Sequence, residues 1–311
     1  MKALIIGTRI AIQDSYSGAN RRIMDISNFL KGAGYSVELA ENKVNKKNYD
    51  LICLVSYANA KHLVWARRKC QILWFDSTDS WSLTHSSLRF GRSPKGWMRI
   101  FRDKIYLKKA RVADILTFCS ERDADFHRNL HPQSLVFSHI QPPWKKLPDF
   151  GRRLVFVGPM QYLPNATAVK WLENFYSEHP ELSLRLFIYG HGYKSGNDDR
   201  IQYIPNATDS EIYGSRDIHL APIELGAGVK YKVVYPVALG ITTATTSEAA
   251  NGLLRDSPHL FVEKSLEKLG TRILLLAKEN INQVDRVGYI LENDDKNLIL
   301  QLLDSGRLIE E

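Results

Sequence analysis

The chain is poor in cysteine, with three in 311 residues. Cys53, Cys70 and Cys119 lack the paired spacing of a zinc site and lie in or beside apolar runs. That excludes a disulfide scaffold and predicts reduced, mostly buried thiols. Long apolar runs are missing too: none approaches the roughly 20 residues that a membrane-crossing helix needs. No basic–apolar–small-residue leader precedes the first apolar run, so a cytoplasmic location is expected. The nine histidines form no cluster with metal-ligand spacing, so no metal is expected. Repeats and low-complexity tracts are absent, which sets aside solenoids and extended disorder. Asn165 and Asn206 open N-x-T sequons and, without a leader, read as chance matches.

What remains is a globular composition with unevenly placed charge. Residues 1–150 carry 25 Lys+Arg against 13 Asp+Glu, and the remainder 17 against 21. The formal net charge of +8 is therefore a property of the first half. It points to an anionic partner there: phospholipid head groups, nucleic acid or an anionic glycan. Solubility charge with no partner is the plain alternative. The strongest concentration is Arg89–Arg111, where Trp97, Ile100, Phe101, Ile105 and Tyr106 interleave with the basic residues near helical spacing. Such a helix either lies on an anionic membrane surface or packs its stripe on a sheet.

Taken in order, short apolar runs alternate with helix-length segments. Strands are expected at 3–7, 36–39, 51–55, 72–75 and 115–118, with a helix over 19–30. Gln141-Pro142-Pro143 through Pro148 reads as a linker, because proline density forbids regular structure. Strands at 154–157, 184–189, 201–204, 218–220 and 241–244 follow, with helices at 166–176, 266–277 and 298–303. The pattern predicts an α/β protein of two Rossmann-like doubly wound domains facing across a cleft, over 1–143 and 144–311.

In such sheets ligands sit at the carboxyl ends of strands. The stretch Ile218–Leu239 draws most attention. A strand ends at Pro222, a turn with Gly226 and Gly228 follows, and then come Lys230 and Lys232. A glycine turn entering a helix, with two amines added, suits a diphosphate. An ordinary strand–turn–helix connection with solvated lysines is the competing reading. Asp76-Ser-Thr-Asp79-Ser-Trp81 follows another strand, where carboxylates serve as a base or hold sugar hydroxyls, or cap a helix. Asp123-Ala124-Asp125 has the form of a metal-binding D-x-D but follows Ser120-Glu121, a helix-start signal, and is discounted. Gly190-His191-Gly192 is an incomplete nucleotide signature.

The second half closely resembles the nucleotide-sugar domain of GT-B glycosyltransferases of the group-1 (family four) branch. The resemblance rests on Leu154–Asn165 with Gly158, Leu186–Gly192, Tyr203-Ile204-Pro205, Tyr213–Pro222, Gly226–Val234 and Ala238–Thr245. The first half matches more loosely, through the Gly18 loop and Ala113–Glu121. The resemblance implies a hexosyltransferase-like enzyme moving sugar from a UDP-, GDP- or dTDP-sugar to a glycan or lipid-linked acceptor, in cell-surface polysaccharide or glycolipid synthesis. It implies no cofactor and no obligatory metal, and sets the basic half toward the acceptor and the inner face of a membrane. Donor-binding positions carried over are Gly18, Gly158, Ile204, Pro205, Glu224, Gly226, Ala227, Gly228, Val229, Lys230, Lys232 and Tyr235. Many relatives have a glutamate for the donor ribose where this chain has Tyr235, so Glu224 or Glu248 is the expected substitute. Asp79, with His85 behind it, is the candidate base for an inverting reaction; a retaining one needs none. A non-catalytic sugar-nucleotide-binding scaffold and a nucleic-acid-directed glucosyltransferase are the alternatives.

Overall fold

The computed structural model describes residues 1–8, 18–44, 48–78, 94–129, 131–138, 146–192, 198–226, 228–253, 257–279 and 295–305. By contacts the chain divides into two units. The first is Met1–Ile140, Gly226–Gly228 and Leu291–Glu311; the second is Gln141–Leu225 and Val229–Ile290.

The first unit holds strands β1 (Lys2–Ile6), β2 (Ser36–Ala40), β3 (Tyr49–Val55), β4 (Cys70–Thr78), β5 (Ile115–Phe118) and β6 (Ser134–Val136), all parallel. They stand in the order β2-β1-β3-β4-β5-β6. Side chains alternate between two buried faces. Ala3 and Ile5 pack with Ile23, Ile26 and Leu30 of α1 (Gly18–Gly32). Leu4 and Ile6 join Leu63 and Ala66 of α2 (Leu63–Arg67) on the other face. With both faces covered, the strands read as unbroken apolar runs rather than alternating ones. Two more helices follow, α3 (Pro94–Lys109) and α4 (Glu121–Arg128).

The helix Lys296–Ser305 belongs to this unit, although the linker reading assigns 144–311 to the second domain. Its Ile299 and Leu303 sit in the cluster with Ile5 and Trp74. Asp295 fixes its start on β6, accepting from the Val136 N–H at 2.7 Å and donating its own N–H to the Val136 carbonyl at 2.8 Å.

Asp76 corrects a second expectation. The apolar run stops at Phe75, but β4 continues to Thr78, and Asp76 is a fully buried strand residue. Arg22 of α1 grips it through Nε (3.1 Å) and Nη2 (2.5 Å), and Thr117 donates its hydroxyl at 2.5 Å. A carboxylate so enclosed is structural, not a base facing substrate. Breaking one side of a buried pair leaves an uncompensated charge. Asp76→Ala is therefore expected to cost about 3–5 kcal/mol, while Arg22→Met with Asp76→Leu recovers most of it. The check is the urea midpoint at constant slope.

The second unit has β7 (Arg153–Val157), β8 (Leu186–Tyr189), β9 (Ile201–Ile204), β10 (Asp217–Ala221), β11 (Thr242–Thr246) and β12 (Leu260–Glu263). Its parallel sheet runs β12-β11-β10-β7-β8-β9. Helices α5 (Leu163–Glu178), α6 (Asp209–Ile212), α7 (Tyr231–Ala238) and α8 (Leu266–Leu276) connect and cover it. From β7 the chain winds outward through β8 and β9, then returns to β10 and winds the other way. The reversal between β7 and β10 is the switch point at which open α/β sheets hold ligands. At the opposite, amino ends of β7 and β10, Arg153 forks onto Asp217 (2.7 and 2.9 Å), and it also holds the hydroxyl of Tyr189, the last residue of β8 (2.9 Å). That buried clamp ties three strands together, so the carboxyl ends are presented on a fixed frame.

Candidate functional site

At the switch point Gly158 directly follows β7 and Pro222 directly follows β10. Gly158 has φ +153 and Gly190, at the end of β8, φ +149. Both are glycine for steric as well as conformational reasons. A methyl group on Gly190 would run into the Gly158 carbonyl, and one on Gly158 would sit 2.6 Å from Lys232 Nζ and 2.5 Å from Asn165 Nδ2. The two strand-end turns are thus pressed together, with Gly158 N–H donating to the Tyr189 carbonyl (2.8 Å) and Met160 N–H to that of His191 (2.9 Å). Gly190 N–H takes up the Ile204 carbonyl at 2.9 Å, which joins the end of β9 to the same edge.

Into this edge α7 sends Lys232. Its half-buried side chain donates to Asn165 Oδ1, and its amine lies 4.6 Å over the Phe156 ring. Burial, then the charge of Lys230, lower its pKa to about 7. Among the described residues no carboxylate pairs with it. An ammonium taken from water without a counter-ion burdens the fold, and such groups concentrate where an anion binds. Lys230 precedes the first turn of α7 and is itself buried, so two lysines stand at the positive end of this helix. Asn165 is held from behind, its Nδ2 donating to the Pro159 carbonyl at 2.9 Å.

Of the other expected positions, Val229 is buried, Ile204 is half-buried at the end of β9, and Pro205 and Glu224 are exposed. Gly18 opens α1 in the first unit, with open space where a side chain would project. Gly226 and Gly228, at φ +134 and +72, group with the first unit, and there Gly228 N–H donates to Asp123 Oδ2 at 3.0 Å. Asp123 is fully buried and its own N–H bonds the capping Ser120, consistent with the helix-start reading of Ser120-Glu121. Asp79, His85 and Ala227 lie outside the described residues. Among the described residues no group of three or more His, Cys, Asp and Glu side chains is placed to hold a metal.

Tyr235 is buried against Tyr213 and Tyr231, with ring centroids at 4.8 and 5.3 Å, and its hydroxyl donates to Asp209 Oδ2 at 2.9 Å. The Tyr235 hydroxyl thus has a carboxylate partner, supplied by the first turn of α6. Asn165, Phe156 and Asp209 are the neighbours that sequence reading does not select. Asn165 carries a signal, Pro164-Asn165 shortly after a strand-end glycine, but it coincides with a glycosylation sequon.

No family model matches the sequence, and no curated protein sequence matches it. Solved structures do resemble it. The pneumococcal O-GlcNAc transferase GtfA, in complex with UDP and GlcNAc, superposes at TM-score 0.53 with 13% identity, over 94% of this chain and 57% of that one. An α,α-trehalose-phosphate synthase (UDP-forming) from Burkholderia vietnamiensis gives 0.53 and 11%, over 94% and 75%. UDP-GlcNAc 2-epimerase from Methanocaldococcus jannaschii gives 0.51 and 10%, over 98% and 100%. The chain spans half the length of TarM, which it also resembles at 0.53. Likeness at such identities speaks to architecture, since one fold hosts several chemistries. The chain has the fold of the GT-B glycosyltransferases.

Proposed function

We propose that the second unit binds the diphosphate of a nucleotide-activated sugar between the ends of β7 and β10, and that the chain transfers the sugar to a glycan or lipid-linked acceptor. The observation that carries this reading is the Lys232 amine, held against Gly158 with Asn165 and an aromatic face as partners and, among the described residues, no carboxylate. Lys230 and Lys232 would meet the charge developing on the leaving diphosphate, so the reading requires neither cofactor nor metal. The basic first half supports an anionic acceptor and work in cell-surface polysaccharide or glycolipid assembly at a membrane face. Among the described residues no helix is long and apolar enough to cross a membrane.

A panel of UDP-, GDP- and dTDP-sugars tested by thermal shift checks the donor half of the reading, since a ligand bound at a hundred times its Kd stabilises the fold by about 2.7 kcal/mol. One class is expected to raise the midpoint, and sugar transfer with that donor should persist in a chelator. No shift with any nucleotide sugar overturns the proposal. The match over the whole epimerase favours a second reading, isomerisation of the sugar on its nucleotide. Product analysis separates the two: free nucleoside diphosphate marks transfer or hydrolysis, and an intact nucleotide with an altered sugar marks epimerisation.

A further inference from the structure

The helix α3, Pro94–Lys109, carries a surface that the donor site does not use. Trp97 is 66% exposed, Met98 69% and Phe101 67%, the three most exposed large apolar side chains among the described residues. Ile105 is 39% exposed. At about 100° per residue these four fall within roughly a 100° arc. Tyr106 points the opposite way, and it is Tyr106 that packs, edge-on to Tyr57 at 5.3 Å. The helix is therefore anchored by one face and shows its aromatic stripe to the outside. Of the stripe read from the sequence, Tyr106 packs inward while Trp97, Phe101 and Ile105 are exposed and are joined by Met98.

The charges match the stripe. Lys104 borders the arc and Lys108 lies along it toward the carboxyl end of the helix, both exposed, whereas the Lys109 amine turns back over the Tyr106 ring at 5.8 Å. Asp103 is the only acidic residue between Arg89 and Arg111, and the surrounding 1–150 carries 25 basic against 13 acidic residues. Aromatic and thioether side chains partition into the head-group region of a bilayer, while flexible lysine amines at the margin reach anionic lipid phosphates.

We propose that α3 docks the protein on an anionic lipid surface, with Trp97, Met98, Phe101 and Ile105 entering the interface and Lys104 and Lys108 on the head groups. The helix lies in the plane of the surface and does not span it. Nothing in the assignment depends on what the second unit binds.

The test is co-sedimentation of the full chain with phosphatidylcholine vesicles, with and without phosphatidylglycerol. Binding is expected only to the anionic vesicles and should weaken as salt rises. Trp97→Ser with Phe101→Ser should lower the partition coefficient at least about tenfold, because two aromatic side chains leave the interface. Its thermal midpoint should not fall, since both residues are exposed in the free protein. Lys104→Gln with Lys108→Gln should weaken binding to anionic vesicles and abolish most of its salt dependence. Absence of wild-type binding to anionic vesicles overturns the proposal, and so does wild-type affinity in the aromatic variant. A wild-type dimer that the aromatic variant dissolves, with no vesicle binding, also overturns it and gives the stripe to a second copy.

Discussion

Lys232→Met is expected to weaken binding of the preferred nucleotide sugar about a hundredfold while leaving the protein more stable. The first effect follows from losing a charge-assisted contact to a diphosphate, about 2–3 kcal/mol, or roughly a hundredfold in Kd. The second follows from removing a partly desolvated ammonium that no carboxylate among the described residues neutralises. Since the folded-state pKa is depressed, to about 7 against an ordinary 10.5, the cost to stability is fully present below pH 7. It fades as pH rises toward the unfolded value. Loss of affinity together with gain in stability is the mark of a residue kept for binding rather than folding. Calorimetry and a denaturant curve on the same two proteins check both halves.

The wild-type affinity should itself depend on pH. The diphosphate needs the ammonium form, so binding is tightest below about pH 7 and falls above it, approaching tenfold per pH unit until the bound amine also titrates. A nucleotide sugar is the ligand to use, because its diphosphate has no group titrating near neutrality.

Gly158→Ala is expected to be the other severe change. The new methyl would fall 2.6 Å from Lys232 Nζ and 2.5 Å from Asn165 Nδ2, in backbone already at φ +153. Moving the amine out of its seat should remove at least about a hundredfold in nucleotide-sugar affinity and lower stability by about 2–3 kcal/mol. Gly151 supplies the control. It also has positive φ, +77, but open space where a side chain would go. Gly151→Ala should show only backbone strain, about 1 kcal/mol, with nucleotide affinity unchanged. Equal affinity losses in the two variants would mean that strain, not the displaced amine, is responsible.

Much of the architecture was legible because parallel strands covered on both faces are written as short unbroken apolar runs; Ala3–Ile6 and Leu154–Val157 are plain cases. Partnerships between residues far apart in the chain were not. Asp76 reads as the start of a loop because a carboxylate ends an apolar run, and its neutralising Arg22 stands 54 positions earlier. Asn165 reads as a chance sequon, and its bond to Lys232 spans 67 positions. The helix Lys296–Ser305 reads as a tail of the second domain, yet its leucine and isoleucine complete the first core. The stripe on α3 was visible as a pattern that included Tyr106, but that Tyr106 turns in to Tyr57 while Trp97, Phe101 and Ile105 stay exposed was not. Hydropathy reports that a residue prefers burial, not which surface will cover it.

The proposed contact between the Lys232 amine and a diphosphate can be tested directly. In the protein with isotope-labelled lysine, the Lys232 resonance, assigned through Lys232→Met, can be titrated with and without the stabilising nucleotide sugar. The free amine should titrate near 7, and with the ligand bound its midpoint should rise by at least about two pH units, as an adjacent anion favours the charged form. A midpoint that stays near 7 while the ligand is bound would show that the diphosphate lies elsewhere, and the site described at Gly158 would be wrong.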